Sequence, residues 1–192
     1  MKFLAKMKEK QMQRKIGGML CGMLCAGVLV MPSAWAADYY GNDGNTKQLT
    51  GANVSLDSGN YDAVYGGYDD TEVSLPEVFK NNVTITGTAA TNIVCGAYSF
   101  YGNVRENTAT ISGNTLGNVV CGGGTGAADA IKNHVIIKAN SEVNGIVYGG
   151  KGVTSSKEND VMISDSTINK TVYGGEADCN TEKALSQQMV DF

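Results

Sequence analysis

The sequence predicts an all-β chain: a parallel β-solenoid, of the right-handed β-helix kind, with about five rungs and a 26-residue repeat. Three observations carry that prediction. Asn81, Asn107, Asn133 and Asn159 recur every 26 residues, and each opens the same pattern of alternating apolar and polar positions. A second signature closes each copy: Val94-Cys-Gly-Ala, Val120-Cys-Gly-Gly, Val147-Tyr-Gly-Gly and Val172-Tyr-Gly-Gly. A looser early copy reads Asn53-Val-Ser-Leu and then Val64-Tyr-Gly-Gly. The periodicity inside each copy is two, with β-branched residues, which is the mark of strand rather than helix.

Residues 1–36 read as a secretory signal peptide. Lys2, Lys6, Lys8, Lys10, Arg14 and Lys15 form a basic start, Ile16 to Met31 carries no charge, and Ala34-Trp-Ala36 offers the small residues of a cleavage site before Ala37. The rival is a membrane anchor, but the apolar run falls short of the roughly 20 residues a span needs. A lipoprotein reading lacks the small-residue approach to Cys21 or Cys25. No second apolar run follows, so no transmembrane segment is expected in the mature chain.

The leader holds six of the 15 Lys/Arg and one of the 19 Asp/Glu, which leaves 9 basic and 18 acidic groups beyond it, formally −9. That balance excludes the basic footprint of a nucleic-acid binder. It suits a soluble, self-repelling surface.

Residues 37–50 form a lead-in and 51–175 the repeats. In each copy Val83, Ala109, Val135 and Val161 take one inward position, and Ile85, Ile111, Ile137 and Ile163 the next. Ala90, Leu116, Val143 and Ile168, five residues before each Tyr or Cys, take a third, and the valine just before the Tyr or Cys a fourth. One such unit cannot bury its own apolar face, whereas copies stacked in register can. Each buried aliphatic side chain contributes roughly 1.5–3 kcal/mol before entropy. The glycines after each Tyr or Cys (Gly66, Gly67, Gly96, Gly122, Gly123, Gly149, Gly150, Gly174 and Gly175) are expected to form a tight bend, since glycine reaches positive φ at little cost. The stretches that follow differ between copies, which is where a recognition edge or a plain solvated turn belongs. Residues 176–192 form a tail or an incomplete rung, and Thr181 to Val190 is the best, though short, helical stretch.

Tyr65, Tyr148 and Tyr173 share a repeat position with Cys95 and Cys121. An inward Cys/Tyr exchange would leave large volume mismatches. The position is therefore expected to face outward, as an aromatic strip for carbohydrate or partner contact or simply as good strand residues. Cys95 and Cys121 become neighbours in the stack. Facing strand residues lie about 4.8 Å apart, wider than the roughly 3.8 Å Cβ separation of a disulfide. Free thiols or a strained bridge both remain open, with Cys179 as an odd third.

Asn-x-Val-x-Ile-x-Gly and Val-Tyr-Gly-Gly repeats behind a long leader ending Ala-Trp-Ala resemble the passenger region of Gram-negative autotransporters, in their repeat-rich adhesin-like members. The resemblance covers about residues 51–175 and the leader. It implies a β-helical passenger shown at the cell surface or released, often in adhesion, with a host-surface or glycan ligand. It also implies a C-terminal membrane barrel, which this sequence does not contain. The chain is then a truncated passenger, the product of a broken reading frame, or a small secreted relative, and it stays periplasmic where no barrel is supplied. Uncapped rungs would invite self-association.

Catalytic signatures are sparse, and neither a cofactor nor a metal is expected. His134 is the only histidine and takes an outward strand position. Gly122 to Asp129 only faintly matches a calcium-binding nonapeptide, and no other copy repeats it. The enzymatic alternative is a polysaccharide lyase or hydrolase on a β-helix. It would draw on the acidic residues Asp57, Asp62, Asp69 and Asp70 near the first copy.

Overall fold

The computed structural model describes residues 36–72, 76–178 and 188–190. The leader reading, including Ala34, lies almost wholly outside the described residues; the first strand begins at Ala37. Every regular element among the described residues is a strand, and all pairings between strands are parallel. The chain forms a β-solenoid of about 5 turns with about 26 residues per turn. Among the described residues no helix is long and apolar enough to cross a membrane.

Four sheets run along the stack. Sheet I holds β1 (Ala37–Tyr40), β3 (Asn60–Asp69), β6 (Ala90–Ser99), β10 (Val119–Thr125), β14 (Ile146–Gly152) and β18 (Val172–Ala177). Sheet II holds β2 (Asn53–Leu56), β5 (Asn82–Thr86), β8 (Thr108–Ser112), β12 (His134–Lys138), β16 (Asp160–Ile163) and β19 (Gln188–Val190). Sheet III holds β4 (Val78–Phe79), β7 (Val104–Arg105), β11 (Asp129–Ile131) and β15 (Ser155–Lys157). Sheet IV holds β9 (Thr115–Leu116), β13 (Glu142–Val143) and β17 (Thr167–Ile168).

The repeat dictates the register. Val83 pairs with Ala109, Ala109 with Val135 and Val135 with Val161, while Ile85, Ile111, Ile137 and Ile163 form the parallel column. These residues share one core with Val64, Val94, Val120 and Val147 of sheet I and with Leu116 and Val143 of sheet IV. One expected inward residue differs. Ala90 is exposed and pairs with Asn60, and Ala89 points into the core instead. In that copy β6 already runs from Ala90, where the next copy has the separate short strand β9, and the inward site lies one residue earlier.

Beside the core runs a column of amides. Asn81, Asn107 and Asn133 are fully buried and Asn159 nearly so. The Oδ1 of Asn107 accepts from both the backbone N–H and the side-chain amide of Asn81, each at 3.0 Å. Asn133 and Asn159 do the same for the asparagine before them. Each amide also donates to a backbone carbonyl: Leu49, Val78, Val104 and Ala130 in turn. Buried polar groups are tolerable only when paired in this way. A small second cluster, Val78, Ala97, Val104 and Ala130, packs on the sheet III side.

The glycines do not bend the chain as expected. None of the repeat-turn glycines has positive φ, and Gly66, Gly67, Gly96, Gly122, Gly123, Gly149, Gly150, Gly174 and Gly175 all lie inside sheet I strands. They are small because backbone passes close by. A Cβ on Gly122 would lie 2.7 Å from the His134 carbonyl oxygen, and one on Gly149 2.7 Å from that of Asp160. On Gly67, Gly123 and Gly150 a Cβ would strike the buried asparagine side chains. Positive φ falls elsewhere: at Lys80, Glu106, Lys132 and Glu158, each just before a ladder asparagine, and at Gly87, Gly113, Ala139 and Asp165 after the sheet II strands.

The lead-in belongs to the stack. Tyr40 pairs with Tyr65, and the Leu49 carbonyl accepts from Phe79 N–H, so residues before β2 cover the first edge of sheet III. At the other end Gln188–Val190 pairs with β16 as strand, not helix; the rest of the predicted helical stretch lies outside the described residues.

Candidate functional site

The outward face of sheet I gathers the aromatic residues. Strict alternation sends Tyr65 outward, opposite the buried Val64. At Gly66 and Gly67 two consecutive Cβ directions face inward, so Tyr68 also emerges outward, three residues on. Register extends this into two rows. The first reads Tyr40, Tyr65, Cys95, Cys121, Tyr148 and Tyr173. The second reads Tyr68, Tyr98, Gly124, Lys151 and Glu176.

The expected strip is therefore outward, but it is interrupted. Tyr40 and Tyr65 stack at 5.5 Å between centroids, and Tyr148 and Tyr173 at 5.3 Å, with ring planes within 10° in both pairs. Between the pairs lie the two cysteines. Both thiols are free and buried, and their residues are direct register partners. Neighbouring rings cover them, so an outward position is not an exposed one here. A hydrogen bond with Cys121, together with burial, pushes the Cys95 thiol well above the ordinary range.

Tyr98 packs edge-on against Phe100 at 5.3 Å, and Phe100 sits beside Tyr101 at 6.3 Å. Phe100, Tyr101 and Tyr173 are 42%, 39% and 36% exposed, large values for apolar rings on one surface. A groove of about 450 Å³ runs along this face, with Tyr65, Tyr98, Phe100, Cys121, Tyr148 and Lys151 among its walls. Burial raises the phenols of Tyr65, Tyr68, Tyr98 and Tyr148 above their usual range. Two cations lie against the rings: Lys47 Nζ 5.0 Å from Tyr68 and Lys151 Nζ 5.2 Å from Tyr148. Burial pulls the Lys151 ammonium down, but the Glu176 carboxylate beside it more than offsets this, and its pKa is raised.

The acidic residues of the enzymatic alternative do not converge. Asp69 is buried and accepts from Thr71 N–H, Thr71 Oγ1 and Ser99 Oγ, which fixes the end of β3. Asp70 pairs with Lys47, Asp62 accepts from Asn92, and Asp57 from Ser58. His134 is outward on sheet II and bonded to Asp160.

Tyr40 and Tyr68 escape the sequence reading, whereas Tyr98, Phe100 and Lys151 begin or lie in the variable stretches after the repeat signature, expected to be a recognition edge or plain solvated turns. Tyr68 and Tyr98 each follow the Tyr/Cys position by three residues. Under strict alternation that offset belongs to the opposite face, and only two consecutive inward residues, Gly66-Gly67 before Tyr68 and Gly96-Ala97 before Tyr98, reverse it.

Fold and face together define the class: a parallel β-solenoid with aromatic residues gathered on the outward face of one sheet. No protein-family model, no curated protein and no solved structure matches the chain.

Proposed function

We propose that this is an exported, non-enzymatic solenoid of the autotransporter-passenger kind, and that the outward face of sheet I recognises a glycan or another cell-surface ligand. The observation that carries the reading is the concentration of rings on one sheet face, with Phe100, Tyr101 and Tyr173 open to solvent. Soluble surfaces rarely leave contiguous apolar area uncovered unless it binds something. Tyrosine supplies an apolar ring and a polar tip, a combination suited to sugar faces and protein surfaces alike. The acidic balance of the chain beyond the leader disfavours nucleic acid as a partner. The basic and apolar leader supports export, with display or release at the cell surface, or retention in the periplasm where no barrel is supplied. Self-association through the ends of the stack belongs to the same reading.

The test is binding of the purified full-length chain to a glycan array and to host cells. The comparison is with a triple variant carrying Phe100→Ser, Tyr101→Ser and Tyr173→Ser. Met162→Ser on the sheet II face, where Met162 is 49% exposed, is the control. Binding is expected to fall at least about tenfold in the triple variant and to persist in the control. Equal binding by all three proteins, or loss only in the control, contradicts the proposal.

A further inference from the structure

We infer that Cys95 and Cys121 form a binding site for one thiophilic univalent cation of the Cu+ class, held in line between the two sulfurs on sheet I. The site is independent of the ligand reading of the aromatic face and stands or falls without it.

The row Tyr40, Tyr65, Cys95, Cys121, Tyr148 and Tyr173 changes character at two adjacent rungs. Cys95 and Cys121 are direct register partners on β6 and β10, and Val94 and Val120 beside them pair in the same unbroken register. Both cysteines therefore leave the sheet on the same side, about 4.8 Å apart at the backbone. A disulfide wants its Cβ atoms about 3.8 Å apart and its sulfurs turned toward each other. A metal–thiolate bond is about 2.3 Å long, so two in line span about 4.6 Å, close to one strand spacing. The separation that strains a disulfide fits a bridging ion.

The surroundings of the pair select the ion. Both thiols are free, and both line the groove, so an ion reaches them from solvent with no rung opened. Tyr65 precedes the pair in the row and Tyr148 follows it. The Tyr98 ring closes the next outward position of β10: a Cβ on Gly124 would lie 3.3 Å from that ring and 3.5 Å from the Cys121 sulfur. Among the described residues no three of His, Cys, Asp and Glu gather as ligands. Zn2+ draws three or four protein ligands, and Ca2+ and Mg2+ are held by oxygens, so two sulfurs among rings suit none of them. Thiolates are soft ligands and select Cu+, whose filled d shell accepts two of them in line. Binding breaks two S–H bonds and forms two metal–sulfur bonds; both protons go to solvent and no electron moves. The bound group carries one net negative charge. Lys151, the register partner of Gly124 on β14, brings an ammonium to the same groove.

The experiment uses the full-length chain with Cys21, Cys25 and Cys179 changed to serine, so that the pair holds the only thiols. Under nitrogen it is titrated with Cu+ against bicinchoninate, with Ag+ under native mass spectrometry, and with Zn2+ as the control. One ion per chain is expected, with two protons released and sulfur neighbours alone in the X-ray absorption spectrum. Cys95→Ser and Cys121→Ser each change one atom and should keep the far-UV circular dichroism. Each should weaken Cu+ binding by more than the roughly 10–100-fold that loss of a supporting outer group costs. Cys121→Tyr combined with Tyr148→Cys keeps two thiols but sets them about 9.6 Å apart, two strand spacings, and should lose binding to the same extent. Tight Cu+ binding that survives either serine variant, or survives the move to position 148, overturns the proposal. So does Zn2+ bound as tightly as Cu+, an ion shared between two chains, or a Cys95–Cys121 disulfide in chain isolated without reductant.

Discussion

Changing Asn133 to alanine removes the middle of the buried amide column. Asn133 is fully buried. Its Oδ1 accepts from Asn107 N–H at 3.1 Å and from Asn107 Nδ2 at 3.0 Å, and its Nδ2 donates to Asn159 Oδ1 at 2.9 Å and to the Val104 carbonyl at 3.2 Å. Alanine keeps the backbone bond from residue 133 to Asn159 Oδ1. It strands the Asn107 backbone N–H and one of its amide protons, and it takes a donor from Val104. Each buried group left unmet costs about 1–3 kcal/mol, so the variant should lose about 3–9 kcal/mol. That is a large part of the roughly 5–15 kcal/mol available to a typical domain. Asn82→Ala is the control. Asn82 is exposed and its amide reaches Asn53 Oδ1 at 2.9 Å in solvent, so the cost should stay within about 0.5 kcal/mol. Urea unfolding followed by far-UV circular dichroism measures both. Asn133→Asp adds a sign test: a carboxylate would face Asn159 Oδ1 and the Val104 carbonyl at neutral pH, and acid would partly restore stability by returning a donor. An Asn133→Ala protein within about 1 kcal/mol of the wild type would refute the reasoning.

Further expectations follow from single positions. Ala139 sits at φ 59° where two other copies place Gly87 and Gly113 at φ 60° and 64°, so Ala139→Gly should raise stability by about 0.5–1 kcal/mol in the same assay. Gly149→Ala should lower it by at least about 2 kcal/mol, because the added methyl meets the Asp160 backbone. Cys95 and the face tyrosines have raised folded pKa values. Their contribution is therefore whole below the unfolded values, about 8.5 for Cys and 10 for Tyr, and is lost as pH rises beyond them. The melting temperature should hold to about pH 8 and then fall toward pH 11; a constant value across that range would contradict this. Lys132 lies between Glu106 and Glu158 in the column before the asparagines and approaches Glu158 at 3.5 Å. Lys132→Glu should cost no more than about 1 kcal/mol and lose even that effect in high salt.

The stack was legible in the sequence because one interval governs it. A 26-residue spacing fixes which residues become neighbours, and the Val83 and Ile85 columns follow directly. Local geometry was less legible. Glycine in a repeat signature suggests a turn, yet here it marks close backbone approach, which no single copy reveals. The column Val78, Val104 and Ala130, three residues before each asparagine, was open to reading from the same interval. The candidate face was half visible. Tyr65, Tyr148 and Tyr173 follow from the repeat, whereas Tyr68, Tyr98 and Lys151 depend on two adjacent inward residues, a glycine pair or Gly96-Ala97, breaking strict alternation.

Spin labels on the outward side of sheet II give the most direct measurement of coaxial stacking. In a background with the native cysteines changed to alanine, labels at Ser55 and Met162 lie on β2 and β16, four strand steps apart through Thr84, Thr110 and Ile136. The expected backbone separation is about 19 Å, and labels at Ser55 and Thr110 should report about half of it. Separations that do not grow by one strand spacing per repeat would mean that these segments do not lie one above the next.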